Sequence, residues 1–222
     1  LWWILDPILF MLVYWFIFML IFGQKKEYFH IFVFVGLSMW NLFNKTVSGS
    51  VRIVAANRAV VTKVYIPKYF LIIILLFQNL FKMMISFGIV IVMMLWSHVP
   101  VSYNVIYVIP IFVDLILITF GVRAILTHFG VFFHDLKNIT NVGLRILLYI
   151  SGIFYVITDR VNEAIATLLL KVNPVGFLID ACRSSLVYCE TPHRRLILLW
   201  FVIGSVLSAI GVAIIYKNEN NY

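Results

Sequence analysis

FLIIILLFQNLFKMMISFGIVIVMML, residues 70–95, carries a single charge, Lys82, in twenty-six residues. As a helix rising 1.5 Å per residue it reaches about 39 Å, more than the ~30 Å hydrocarbon core of a bilayer. Its apolar residues run continuously instead of alternating, so a helix is predicted and not a barrel strand.

Around this run the chain has 222 residues, of which 64% are hydrophobic and only 12% charged. Soluble domains carry about a quarter charged residues. With a mean hydropathy of +1.05, the composition predicts an all-α polytopic membrane protein. Six spans are expected, at 2–22, 28–47, 70–95, 104–123, 142–158 and 196–216. The remainder leaves no room for a soluble domain, so residues 1–222 read as one membrane domain without internal repeats or linkers. The first run is too long for a signal-peptide core and has no small-residue cleavage site, so it reads as retained. The chain does not start with Met and is expected to begin inside a longer sequence. The net charge of +8 sits at the ends of apolar runs, where headgroups and not nucleic acid would meet it.

Charge asymmetry between loops orients the bundle. Lys45, Arg52, Arg58, Lys63 and Lys68 follow the second span without an acid, and Arg123, Lys137 and Arg145 follow the fourth against Asp135 alone. Both loops are expected in the cytoplasm, as are both chain ends. In VTKVYIPKYF, residues 61–70, Pro67 suits the first turn of a helix, having no amide proton to lose there. Tyr65 and Tyr69 suit an aromatic belt. On that reading residues 61–70 are only an anchor, but the preceding SGSVRIVAANRAVV is too polar to span and too apolar for a free linker, and reads more sharply as a short helix at the cytoplasmic face open to a partner.

Residues 159–195 hold Arg160, Lys171, Arg183, Arg194 and Arg195 diluted by Asp159, Glu163, Asp180 and Glu190, which places them outside. VNEAIATLLLKV and VGFLIDACRSSLVY are each too short to span, and Asn173-Pro174 separates them. They read as a re-entrant or capping helical hairpin between spans five and six, or as a plain surface hairpin. Cys182 and Cys189 would be about 10.5 Å apart along one helix, beyond disulfide reach, and are expected as free thiols unless the helix ends between them.

No phosphate-cradling GxxxxGK[ST] occurs, and no histidine spacing suggests a metal. ATP drive would have to come from another chain, and no catalytic residue or cofactor is assigned here. Lys82 and Asp114 fall near mid-membrane with depths differing by about 5 Å, within reach of a lysine stem. They are expected to pair or to face a wet cavity. Tyr14, Trp15, Trp40, Tyr149 and Tyr155 divide between interface, core packing and the lining of a glycan path.

LWWILDPILF (1–10), FVFVGLSMWNLF (32–43), TKVYIPKYF (62–70), GVFFHDLKNI (130–139), LLYISGIFYVI (147–157) and NPVGFLIDACRSSL (173–186) together resemble the permease subunits of ABC-2 type transporters, in the branch exporting O-antigen, capsular polysaccharide and wall teichoic acid. The resemblance implies a homodimeric permease, not an enzyme, bound to two separate ATPase subunits that carry ATP and Mg. Its cargo would be a polyprenyl-pyrophosphate-linked glycan crossing the bacterial plasma membrane. Coupling to the ATPase would involve a helix over 49–60 with Arg52, Asn57 and Arg58, along with Lys63, His134 and Asp135. The family has an Arg-Asp pair where this chain has His134-Asp135. The external gate would include Leu169, Asn173, Pro174 and Phe177. The family's interfacial helix before span one has no counterpart here and is expected to be missing. Alternative readings are an ABC-2 permease for drugs or small lipids, or a polytopic membrane transferase.

Overall fold

The computed structural model describes residues 28–51, 68–133, 135–155 and 162–217, together with 5, 8, 9, 12, 13 and 16. The first expected span, apart from those six positions, and the 52–67 loop lie outside the described residues. The described residues form seven α-helices: α1 Phe29–Ser48, α2 Lys68–Trp96, α3 Val108–Phe132, α4 Leu136–Ile150, α5 Glu163–Val172, α6 Pro174–Leu186 and α7 Arg194–Lys217. A 3₁₀ turn, Tyr103–Tyr107, leads into α3. No strand occurs among the described residues.

The centre of the bundle is α1. Every residue from Ile31 to Trp40 is buried, because α2, α3, α4 and α6 all pack against this one helix. Two of its polar residues are answered by neighbouring protein, His30 by Ser97 and Thr46 by Asn79, which helps a helix of mixed composition sit inside an apolar bundle. The outer pair is α3 and α7, the most extensively packed pair. A Cβ on Gly121 would stand 2.7 Å from the Leu207 carbonyl carbon, so only glycine permits this approach. Where the helices are closest, Ser208 Oγ donates to the Leu117 carbonyl at 2.8 Å.

Among the described residues, three helical stretches are long and apolar enough to cross a membrane: Ile73–Trp96, Tyr103–Phe132 and Arg194–Lys217. A fourth is reached if α5 and α6, bent by 108° at Asn173, count as one broken span. The bend has local causes. Asn173 is extended, Pro174 opens α6, and Asn173 Oδ1 accepts the Gly176 amide at 3.1 Å as a side-chain cap.

The expected boundaries shift at two places. The fourth span does not end at Arg123: α3 continues to Phe132 and Arg123 is fully buried within it. Arg123 is therefore not a loop charge. The helix that enters the fifth expected span, 142–158, ends at Ile150, and residues 151–155 are not helical. Gly152, with φ 62, takes the left-handed conformation that ends a helix, so α4 falls short of a span by itself.

Candidate functional site

Seven of the proposed site residues, Tyr14, Trp15, Arg52, Asn57, Arg58, Lys63 and His134, lie outside the described residues. The others are placed as follows. Asp135 is exposed at the N-cap position of α4 and makes no side-chain capping bond. Its carbonyl instead accepts the amides of Asn138 and Ile139. Tyr149 is 70% exposed on α4, and the Tyr155 hydroxyl donates to the Tyr149 carbonyl. Trp40, expected among path-lining aromatics, is only 4% exposed and tilted against Phe43 at 5.9 Å between ring centroids. It is a core residue of α1.

Of the residues expected at a gate, Asn173 is bonded to the end of α4. In the hairpin, Leu169 and Pro174 are half-buried and Asn173 and Phe177 buried. Asn173 Nδ2 donates to Ser151 Oγ at 2.9 Å, while Ser151 Oγ donates to the Leu147 carbonyl. The bend between α5 and α6 thus rests on the end of α4. Nearly three turns further along α6, Arg183 is 2% exposed and makes three bonds to backbone carbonyls: Nε to Phe32 at 2.9 Å, Nη1 to Gly152 at 2.9 Å and Nη2 to Ile153 at 2.8 Å. The guanidinium also lies 3.5 Å from the Phe32 ring centroid, a cation–π contact strengthened by the dry surroundings. A Cβ on Gly36 would run into Arg183 Nη2, so this glycine makes the space for the cation. The fork of the guanidinium is what allows one side chain to bind two separate chain segments. Sequence reasoning counted Arg183 among diluted outer charges. An arginine inside a short apolar helix was the signal available.

The Lys82–Asp114 pair is not formed. Both Asp114 carboxylate oxygens are fully buried without a hydrogen-bond partner. Lys82 instead lines a groove between α1 and α2 with Ser38, Asn41, Lys45, Asn79 and Ser86. The reason lies in which helix α2 packs on: its main neighbour is α1, and its contact with α3 is slight. Lys45, counted as a loop charge from sequence, stands in the last turn of α1 and shares this groove. A lysine at the centre of a membrane helix costs roughly 2.5–3.5 kcal/mol on insertion scales, so its position within a bundle calls for polar company.

Cys182 and Cys189 are free. Although α6 does end between them, at Leu186, the Cys189 thiol is directed to the Pro100 carbonyl at 3.0 Å.

Long apolar helices around a buried central helix, with a bent helical pair seated by polar bonds, define an all-helical multi-pass membrane protein. Sequence similarity takes this further. The chain is 23% identical over 218 residues to the O-antigen export system permease protein RfbA of Klebsiella pneumoniae, covering 98% of this chain and 83% of that protein. It is 26% identical over 208 residues to the O-antigen export system permease protein RfbA of Myxococcus xanthus, covering 93% and 80%. No family model matches the chain. These relatives bear out the resemblance to polysaccharide-exporting ABC-2 permeases drawn from the six quoted stretches.

Proposed function

We propose that this chain is the membrane permease subunit of an ATP-driven exporter that moves polyprenyl-pyrophosphate-linked polysaccharide across a bacterial plasma membrane. The observation that carries the reading is similarity to O-antigen export permeases along 98% of the chain, which embraces the helical core and the bent α5–α6 pair alike. In this reading the protein has six spans, both chain ends in the cytoplasm, and the α5–α6 hairpin as an external gate. It works as a homodimer with two ATPase subunits, which bind ATP and Mg and carry out the hydrolysis. Arg52, Asn57, Arg58, Lys63, His134 and Asp135 form the face that receives them. The exposed carboxylate of Asp135 is in keeping with such a contact. The cargo is O-antigen or a chemically related polymer such as capsule or wall teichoic acid.

The test is reconstitution with the ATPase encoded beside it. Vesicles holding both chains and loaded with lipid-linked glycan should present glycan on the far side only when ATP is supplied. Absence of a stable complex with any neighbouring ATPase, together with unchanged glycan export in cells lacking this chain, would sink the reading.

A further inference from the structure

Asp114 on α3 and Trp200 on α7 are an acceptor and a donor buried without bonding. Both carboxylate oxygens of Asp114 and the indole Nε1 of Trp200 are closed off from solvent with no hydrogen-bond partner. Three contacts set the register of the two helices. At their first turns the Arg194 guanidinium lies 5.1 Å from the Tyr107 ring centroid. Further along, a Cβ on Gly204 would stand 3.2 Å from Leu117 Cβ, and one on Gly211 2.6 Å from Ala124 Cβ. The partners in all three contacts are the same number of positions apart in sequence, so α3 and α7 run parallel in constant register. Asp114 and Trp200 fall between the first contact and the second and depart from that spacing by one position, about 1.5 Å along the axis. They also lie on the contact faces. Asp114 is one turn before Leu117 and Ile118, which flank Gly204, and Trp200 is one turn before Gly204 itself. Among the described residues α3 is the helix against which α7 packs extensively, so Trp200 is buried in this interface.

A donor and an acceptor at one level of one interface, each dry and each unbonded, are costly to leave apart. An intramembrane carboxyl in particular ordinarily finds a partner. We propose that the two residues are an open latch: α3 and α7 have a second packing, in which the Trp200 indole N–H donates to the Asp114 carboxyl. In the packing described here the helices are held together further along. Ser208 Oγ donates to the Leu117 carbonyl at 2.8 Å, and Gly121, Gly204 and Gly211 bring the backbones close. Glycines put no interlocking knobs into that stretch, so it serves as a pivot about which the first turns of α7 slide or rotate against α3. The Arg194–Tyr107 contact beyond the latch tolerates such a shift, because a cation over a ring face is not tied to one position. Low dielectric around the two groups strengthens the bond once it is made. α6 packs on α3 and on the 3₁₀ turn before it, so closing the latch moves the surface on which the bent hairpin is seated. The latch is a property of two helices and does not depend on the export reading.

The test is nuclear magnetic resonance of the full chain in lipid nanodiscs, with isotope at the indole nitrogens of its six tryptophans. Loss of one signal in W200F assigns Trp200. Exchange-saturation measurements should find a second Trp200 signal populated at about 1–10%. Its indole proton should lie downfield of the main one, the signature of a hydrogen bond to a carboxyl. D114L removes the acceptor and should lower the population of the downfield signal by about tenfold or more, because one buried hydrogen bond is lost. D114N, whose amide oxygen still accepts, should keep it within about threefold. W96F, at the exposed end of α2, should leave both Trp200 signals where they are. If D114L fails to fold, wild type decides alone. A single Trp200 signal overturns the proposal, as does a second signal whose indole proton is not shifted downfield. A downfield signal equally populated in wild type and D114L overturns it as well, since Asp114 would then not be the acceptor.

Discussion

Arg183 is one side chain that ties together three segments distant in sequence. Its bonds reach the carbonyls of Phe32 in α1 and of Gly152 and Ile153 past the end of α4. Replacing it with Met relieves the desolvation of a buried cation but leaves those carbonyls without this donor, at about 1–3 kcal/mol for each that stays dry. With up to three losses set against one gain, R183M should destabilise the protein by about 2–4 kcal/mol. R183K should fall between, because an ammonium is compact and cannot fork across two segments. Gly36→Ala should act in the same direction by displacing the guanidinium. Thermal unfolding in detergent reads all three, and an R183M transition at the wild-type temperature would show that the three bonds hold nothing. None of this was legible beforehand, since its carbonyl partners lie 151, 31 and 30 residues away in sequence. Lys82 and Asp114 failed for a related reason. Equal depth was readable from run lengths, but which face of α2 turns to α1 is a property of packing.

At the scale of elements, the apolar runs translated directly into helices wherever length and composition agreed. α2 and α7 fall within two residues of the expected spans. The break at Asn173-Pro174 was also legible, because proline and its predecessor restrict the backbone locally. The 108° bend is its consequence. What escaped was the early end of α4, set by the left-handed Gly152, and the continuation of α3 through Arg123, a charge that reads as a boundary until burial is known. The bend makes the gate testable. Phe177 is 3% exposed and Leu169 half-buried. In a background with Cys182 and Cys189 replaced, L169C and F177C should react slowly with an impermeant external thiol reagent at rest. With ATP and cargo both should react several-fold faster, F177C gaining more from its deeper start. Equal labelling in the two states with export intact would make the hairpin a static cap. Asn173→Ala removes both the α6 cap and the bond to Ser151. It should cost about 1–2 kcal/mol and raise resting reactivity at position 177.

The whole molecule is organised around a helix that does not face lipid along most of its length. Because α1 is enclosed by α2, α3, α4 and α6, a displacement of either end of α1 is felt by the hairpin through the Phe32–Arg183 bond. Packed helices tend to have discrete arrangements, so such a displacement repacks the bundle in steps. The C-terminal end of α1 leads into the basic 49–60 segment, proposed above to meet the ATPase. That connectivity sets up the last prediction. Reversing two charges with R52E/R58E changes the local charge by four units, enough to repel a partner that a basic face attracts, and the effect should be strongest at low salt. The double variant should copurify with less ATPase, or hydrolyse ATP at wild-type rate while exporting at most about a tenth as much glycan. An R183M variant that still folds should keep ATPase association but lose export, because the break then lies between α1 and the hairpin. Co-purification and far-side glycan, measured on the same vesicles, separate the two variants. Normal association and normal export by R52E/R58E would remove 49–60 from the coupling path and leave the charge of that loop to set orientation alone.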